Sequence, residues 1–574
     1  MKHAFGSLQL LLLACLQDVV GASTIPQVVL DPVAGNHKGA VACEAKECSA
    51  IGQDLLAKGG TAADAIVGTI LCVGTVGMYH SGIGGGGFAL VRRPDGEYEA
   101  VDFRETAPAA ASEDMYKNHK QKSIRGGLSV GVPSEVYGLE YLHKKYGALP
   151  WKTVVAGAIR VARDGFVVSK DLVRKMNDEV SGNRTYLVDD PNWALDFAPN
   201  GTLLQEGDIM TRKRYADTLE RIANEGSAAL YQGKTANDLI SFIRETGGVM
   251  TLEDLQQYKI AHRPVLSLDY RGLKVKALGA PSGGPVALYI LKLMEQYKMN
   301  DWNTDKKLTI HRLSEAMRFA YAARGHLGDP GFGQSTDVLE FERHMLSDEN
   351  IASTQKRMSD NETKFPTEYD DEKLLAVDSH GTSHMVAADR SGLVISLTTT
   401  VNLNFGARIM EPNTGIILND EMNDFSIPGV SNEFGFAPSE ANFIRPFKRP
   451  LSSMTPLIAE LPDGTFFATA GAGGGSRIIS ATAQTMWHLI EHNMTMAEAM
   501  TFRRVHDQLI PNTITMEREY PDANNVHQYL RAKGHSVTSV WPGLSAVQGI
   551  MRNEDGSFEA VGEPRQNNSA GYTA

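Results

Sequence analysis

Cysteine is scarce, with four in 574 residues, so a disulfide framework cannot hold this chain together and its fold must rest on buried apolar surface. Clusters of lysine and arginine interleaved with aromatics are missing, and acidic residues outnumber basic ones 68 to 56, for a formal charge of -12. That balance excludes a phosphate-backbone grip, and no nucleic-acid partner is expected. No charge-free apolar run reaches the roughly 20 residues of a spanning helix. Leu8 to Leu16 is too short, and Thr61 to Met78 contains Asp64 and several glycines, which marks it as a buried core helix. Low-complexity tracts and short-period repeats are also missing, and with 42% apolar and 22% charged residues wholesale disorder is excluded. The length exceeds what one compact core serves, which implies a large α/β body or two closely packed parts.

What is present begins with an export signal. Lys2 and His3 precede the apolar run, and Val20-Gly21-Ala22 offers a small-residue cleavage site, so residues 1–22 are expected to leave and the mature chain to start near Ser23. The expected destination is the secretory pathway: secreted, or vacuolar or membrane-associated if the signal is retained. Export gives the cysteines meaning, because Cys15 departs with the signal and Cys43, Cys48 and Cys72 remain as one pair and one leftover. Sequons at Asn183, Asn200, Asn361, Asn493 and Asn567 agree with a glycoprotein.

From Gly35 to about Leu346, helical patterns alternate with short β-rich runs, and Lys144 to Val168 and Leu308 to Ala323 read as amphipathic helices. Ser347 to His380 is polar and charged and reads as a surface linker. Directly after it, β-type residues flank the turn signal Asp389-Arg390-Ser391-Gly392, which predicts a hairpin with Thr382 at or just before its first strand. From Thr465 the pattern is a strand, a glycine turn and a helix with Ile478, Ile479, Met486, Leu489 and Ile490 on its apolar side. Unpaired N–H groups at that helix start suit an anion or a developing oxyanion.

Four short patterns carry possible chemistry. Gly82 to Gly87, GIGGGG, satisfies a dinucleotide fingerprint but follows an apolar helix instead of opening one, so close backbone approach explains it better. Gly127-Leu128-Ser129-Val130-Gly131 fits the elbow of serine hydrolases, with a helix predicted near Ser134 but no histidine or aspartate partner in view; its bland reading is an ordinary turn. His380 and His384 have the spacing of some zinc ligands without the intervening glutamate or a helical pattern, and no metal is expected there. Asp420-Glu421-Met422-Asn423-Asp424 lacks the spacing of a calcium loop, which leaves a solvated acidic loop or a site for a ligand ammonium.

Taken together, GGTAADAIVGTILCVG with SGIGGGGF, DFRETAP, SVGVPSEVYGLEYLHKKYG, HGTSH, TTTVNLNFGARI, LNDEMNDFS, RPLSSMTP and GAGGGSRIISA resemble, in order, the γ-glutamyltransferase (glutathione hydrolase) family from about Val41 to Arg477. The resemblance implies the four-layer αββα fold, of α/β (α+β) class, of N-terminal-nucleophile hydrolases. It also implies autoproteolysis between Gly381 and Thr382 into a large subunit, 23–381, and a small catalytic subunit, 382–574, that remain together as a heterodimer. Thr382 is then the nucleophile and its freed amine the base. By the same resemblance, Thr400 orients the Thr382 side chain, Gly474 and Gly475 donate to the oxyanion, Arg104, Ser452 and Ser453 hold the substrate α-carboxylate, and Asn402, Glu421 and Asp424 hold its α-ammonium. The implied substrates are glutathione and its S-conjugates, with water, amino acids or dipeptides as acceptors, and no metal or organic cofactor. Cys48 and Cys72 match a disulfide of animal members, leaving Cys43 a buried thiol. Asn404 departs from an aromatic residue that helps gate the pocket in many relatives, whereas FGFAPSEANFIRPFKRP resembles the eukaryotic pattern. The competing expectations are a serine hydrolase acting through Ser129 and a non-catalytic secreted glycoprotein with the same fold.

Overall fold

Period-two alternation along the strands generates the architecture. In Gly39–Cys43 (β1), Val41 and Cys43 enter one apolar cluster while Ala40 and Ala42 enter another. Gly86–Arg92 (β2) divides in the same way, Ala89 and Val91 against Phe88 and Leu90. Each such strand is therefore covered on both faces, which requires a layer on either side.

The computed structural model describes residues 39–182, 184–299, 301–332, 337–375, 381–429, 437–543 and 545–574. Its further sheet strands are Tyr98–Phe103 (β3), Ala261–Arg263 (β4), Val265–Tyr270 (β5), Leu273–Leu278 (β6), Ser383–Asp389 (β7), Val394–Thr400 (β8), Leu457–Glu460 (β9), Phe466–Gly473 (β10), Ala546–Arg552 (β11), Phe558–Val561 (β12) and Ala570–Thr573 (β13). Of the two large sheets, one has seven strands in the order β13-β1-β7-β8-β2-β3-β4 and the other six in the order β12-β11-β10-β9-β6-β5. The helices Lys46–Ala57, Ala62–Val76 and Glu135–Tyr146 pack on the first sheet, and Gly284–Glu295 and Arg477–Glu491 on the second. Between the sheets lies a separate core that includes Phe88, Leu90, Val386, Ile458 and Ile550. The result is the expected αββα sandwich.

The helix Ala62–Val76 is buried at every position, as its apolar run predicts. It starts in a capping box in which Thr61 and Asp64 satisfy each other's backbone N–H groups, a device worth about 1 kcal/mol. Asp64, fully buried, also accepts from Ala148 N–H at 2.8 Å, which accounts for a charge inside an apolar helix. Among the described residues no helix is long and apolar enough to cross a membrane.

Cys48 and Cys72 form a disulfide that joins the first two helices across 24 residues of sequence, and Cys43 is a buried free thiol. Replacing Cys48 and Cys72 together by alanine is expected to lower stability by about 3 kcal/mol, the loop-closure contribution for that separation, as a shift in a reversible urea denaturation midpoint; an unchanged midpoint would show the bond to be dispensable.

Two expectations need correction. The helix predicted over Lys144 to Val168 is broken: one helix ends at Tyr146 and the next, Trp151–Asp164, begins after Gly147-Ala148-Leu149-Pro150. Proline cannot continue a helix from within, so Pro150 restarts it as a cap. Ser347 to His380 is not a free linker over its described part. Asp348–Arg357 is helical, and beyond it Asp360 pairs with Arg312 at 2.7 Å and Thr363 donates to Glu315 at 2.7 Å. The polar groups of this segment find partners on the helix Lys306–Arg324, predicted as Leu308 to Ala323, a tertiary match that local composition does not encode. Residues 1–22, His380 and Asn183 lie outside the described residues, whereas Asn200, Asn361, Asn493 and Asn567 are exposed.

The expected cut before Thr382 divides the chain without dividing the fold. β1 pairs with β7, and β6 with β9, so strands from either side of that point are hydrogen-bonded within both sheets.

Candidate active site

Thr382 stands directly before β7, as the hairpin pattern predicts, and the turn closes with Gly392 N–H donating to the Asp389 carbonyl at 3.0 Å. It is buried at 6% exposure. Its hydroxyl donates to the carbonyl of Gly381. The Thr400 hydroxyl, at the end of β8, donates to that same carbonyl at 2.8 Å and accepts the Asn402 N–H at 2.8 Å. The Thr400 hydroxyl is thus directed at the Gly381–Thr382 peptide group and not, as expected, at the Thr382 side chain. Two hydroxyl donors on one carbonyl oxygen draw electron density from its carbon. Gly381 is required at this spot, because a Cβ there would lie 1.9 Å from the Asn402 carbonyl oxygen.

The end of β10, where the glycine turn begins, comes against Thr382: a Cβ on Gly473 would sit 2.2 Å from the Thr382 carbonyl oxygen. Gly474 and Gly475 have φ of 131° and 65°, a left-handed region open to glycine, and they lead into the helix Arg477–Glu491. Ser476 anchors the turn through Tyr321 and Gln508.

Arg104 follows β3 and is 1% exposed. Its guanidinium lies 2.6 Å from Glu421 Oε1 and donates to Asp424 Oδ2 at 2.7 Å, while Nε donates to the Pro450 carbonyl at 2.8 Å. Ser452 and Ser453 follow Pro450 and Leu451 in the chain, and the Ser453 hydroxyl accepts from Arg324 Nη2 at 3.1 Å. Asn402 donates from Nδ2 to the Asp420 carbonyl at 3.0 Å, which ties it to the acidic turn. All six predicted binding residues are buried and form one neighbourhood. The acidic turn is therefore not solvated.

Burial sets its electrostatics. It pushes Glu421 and Asp424 above the ordinary carboxylate range despite Arg104, and drives Glu105 to about 8. Burial opposes the charge on Arg104 too, but Glu421 and Asp424 outweigh it and hold the guanidinium protonated. Buried acid exceeds buried base here, so a cation entering the site gains partners. Sequence reading missed Arg324 and Glu105. Glu105 adjoins Arg104 in a quoted motif, but nothing local distinguishes Arg324, the last residue of an otherwise ordinary helix that meets Ser453 only through the fold.

Other sequence patterns dissolve into structure. The Ser129 hydroxyl is fully buried and donates to the Gly126 carbonyl at 2.8 Å, a turn contact without histidine, although a helix does begin after Ser134. GIGGGG brings backbones together: a Cβ on Gly84, Gly85 or Gly87 would come within 2.0, 1.9 and 2.1 Å of a carbonyl oxygen. The His384 ring sits between the sheets against Gly471 and is bound to Thr398 at 2.8 Å, with burial lowering its pKa to about 3. His311, Glu315 and His535 have the donor types for a metal, but His311 Nδ1 and His535 Nε2 are 2.8 Å apart and Glu315 accepts from Thr363 and Tyr369, so these atoms are engaged in hydrogen bonds, whereas His535 Nδ1 has no partner among the described residues. Asn404 accepts from Lys175 Nζ at 3.1 Å.

Comparison with known proteins bears on this geometry. The family model described as gamma-glutamyltranspeptidase matches residues 48–573. The chain is similar to the glutathione hydrolase proenzyme of Arthroderma benhamiae, 49% identical over 93% of this chain and 92% of that protein. It is also similar to the glutathione hydrolase of Aspergillus flavus, 46% identical over 93% and 89%. Among solved structures, cephalosporin acylase from Bacillus halodurans superposes with a TM-score of 0.81 at 25% identity, over 96% of this chain and 98% of that one.

Proposed function

Because the chain belongs to the gamma-glutamyltranspeptidase family, and so acts as a glutathione hydrolase and γ-glutamyltransferase, we propose that Thr382 is its nucleophile and that the chain opens itself between Gly381 and Thr382. The observation that carries this reading is the pair of hydroxyl groups, from Thr382 and Thr400, on the Gly381 carbonyl oxygen. Attack by Thr382 Oγ1 on that carbonyl carbon forms an ester as the C–N bond breaks, the hydroxyl proton passing to the departing nitrogen to give the free Thr382 amine, and water then hydrolyses the ester to release the Gly381 carboxylate and restore the Thr382 hydroxyl. The name proenzyme carried by the Arthroderma relative agrees with such a step.

In the opened enzyme the Thr382 amine accepts the proton of its own hydroxyl as Oγ1 attacks the γ-carbonyl carbon of the donor. The Gly474 and Gly475 N–H groups face the developing oxyanion. Collapse expels the donor's amine, which takes up that proton, and leaves a γ-glutamyl ester on Thr382. Water or the amino group of an amino acid or dipeptide then attacks the ester. Meanwhile Arg104, Ser452 and Ser453 bind the α-carboxylate, and Asn402, Glu421 and Asp424 bind the α-ammonium, a division that matches the excess of buried acid. The large and small parts stay associated because both sheets are built from both. The Cys48–Cys72 bond and four exposed sequons support export as the route.

The test is a denaturing gel of the purified protein with N-terminal sequencing of the smaller fragment, run alongside an assay of cysteinylglycine release from glutathione. A fragment that begins at Thr382 together with release is expected; an active but uncut chain would overturn the self-activation step. Ser129→Ala is expected to retain activity within about twofold, since its hydroxyl serves only a turn; loss of activity with the fold intact would revive the serine reading.

A further inference from the structure

Beside the nucleophile lies a buried carboxylate that the chemistry above does not use. Glu44 follows β1 and is 5% exposed. The hydroxyl of Ser383, the residue after Thr382, donates to Glu44 Oε1 at 2.6 Å, His80 Nε2 lies 2.7 Å from each carboxylate oxygen, and Gln566 Nε2 reaches Oε2 at 3.3 Å. Gly77 leaves the room: a Cβ there would stand 2.4 Å from Glu44 Oε1. Burial works against a charge at this position, but the imidazole and the hydrogen bonds outweigh it and hold the carboxyl below its ordinary range.

His80 extends the contact to the other side of the scissile bond. Its carbonyl accepts the N–H of Val401, between Thr400 and Asn402, at 3.1 Å, and a Cβ on Gly381 would lie 3.3 Å from the Cβ of His80. Glu44 and His80 precede the cut in sequence, while Ser383 and Gln566 follow it. Before the cut, the peptide bond to Gly381 fixes the position of Thr382. Afterwards Thr382 is a chain terminus, and termini fray unless tied down; β7 is held in its sheet from the Ser383–Thr399 pair onward, but that ladder does not fix side chains at the terminus. Ser383 is the first residue able to supply a side-chain contact that does.

Resting on the reading of Thr382 as an N-terminal nucleophile, we propose that Glu44, braced by His80, is a positioning residue that clamps Ser383 and so keeps the freed Thr382 aligned with Thr400 and the Gly474–Gly475 turn. It acts through Ser383 and does not touch the donor. Misalignment of a reacting group by about 1 Å costs on the order of 100-fold in rate, and this sets the scale of the effect.

The experiment uses the full chain, purified and separated from any uncut material, with γ-glutamyl-p-nitroanilide as donor. Glu44→Gln and Ser383→Ala are each expected to lower kcat about 10- to 100-fold with KM within about twofold. Glu44→Gln removes the charge that His80 braces and weakens the acceptor, and Ser383→Ala removes the donor; because both changes act on the same clamp, the double variant is expected to be no slower than the slower single. Wild-type kcat in cleaved Glu44→Gln, or losses that multiply in the double variant, would overturn the proposal. Should Glu44→Gln not fold, Ser383→Ala leaves the carboxylate–imidazole pair in place and decides the matter alone: an unchanged kcat rejects the clamp. A wild-type chain that is never split at Gly381–Thr382 would instead overturn the nucleophile assignment, a failure seen on the gel before any variant is assayed.

Discussion

Thr382→Ala is expected to yield a single uncut chain that releases no p-nitroaniline from γ-glutamyl-p-nitroanilide, a loss of at least about 10⁴-fold. Two functions disappear with one oxygen atom. The Thr382 hydroxyl that is placed on the Gly381 peptide group is gone, so the chain stays closed. The closed chain then lacks the free amine that serves as base. Thr382→Ser keeps the hydroxyl and is expected to cut itself and to turn over, more slowly because a serine side chain without the β-methyl is less restricted at χ1. Thr400→Ala removes the second donor to the Gly381 carbonyl and is expected to slow cutting while leaving Thr382 in place. Gel densitometry over time after expression separates these three outcomes. Normal splitting in Thr382→Ala would remove the residue from the mechanism altogether.

Arg104→Met should be the most damaging substitution in the binding site. The guanidinium is 1% exposed and lies against Glu421 and Asp424 at 2.6 and 2.7 Å, so a neutral side chain of similar length leaves buried carboxylates uncompensated. Removing one partner from a buried pair costs about 3–5 kcal/mol. A sign follows for pH. Glu421 and Asp424 already titrate above their ordinary values of 4.5 and 3.8, and loss of the cation moves them further up. A carboxyl with a raised folded-state pKa contributes stability below its unfolded value and loses it as pH rises through the folded value. The deficit of Arg104→Met should therefore be smallest near pH 4 and widen steadily toward neutral pH. Urea denaturation at several pH values checks this, and a deficit independent of pH would mean that the carboxylates do not depend on the guanidinium. In material that remains folded, KM for the donor should rise by about 100-fold, since the charge-assisted contact to the α-carboxylate proposed for Arg104 is lost.

Much of this was readable in the chain. Period-two runs such as Ser383 to Thr400 define a hairpin whatever surrounds it, because alternation and a turn signal are local properties. The strand, glycine turn and helix around Gly474 were legible for the same reason. The site motifs could be recognised as a set, and the fold gathers them in one place. The polar stretch after Ser347 misled, since whether charges face water or a partner such as Arg312 depends on what lies opposite. Lys144 to Val168 misled because apolar periodicity continues across a break that Gly147 and Pro150 impose.

The sequence by itself determined the class of fold, the strand before which Thr382 stands, and the set of motifs that the fold gathers around Thr382 and Arg104, because hydrophobic period, turn residues and motif order are written along the chain. Only the tertiary structure decided that Arg324 meets Ser453, that Glu44 and His80 brace Ser383, and that Arg104 lies between Glu421 and Asp424. These contacts join residues 129, 339 and 320 positions apart, the Glu44 to Ser383 pair being the longest. No local pattern specifies such a pair: burial in a shared interior raises the energy of each unmatched charge or hydroxyl until its partner is found.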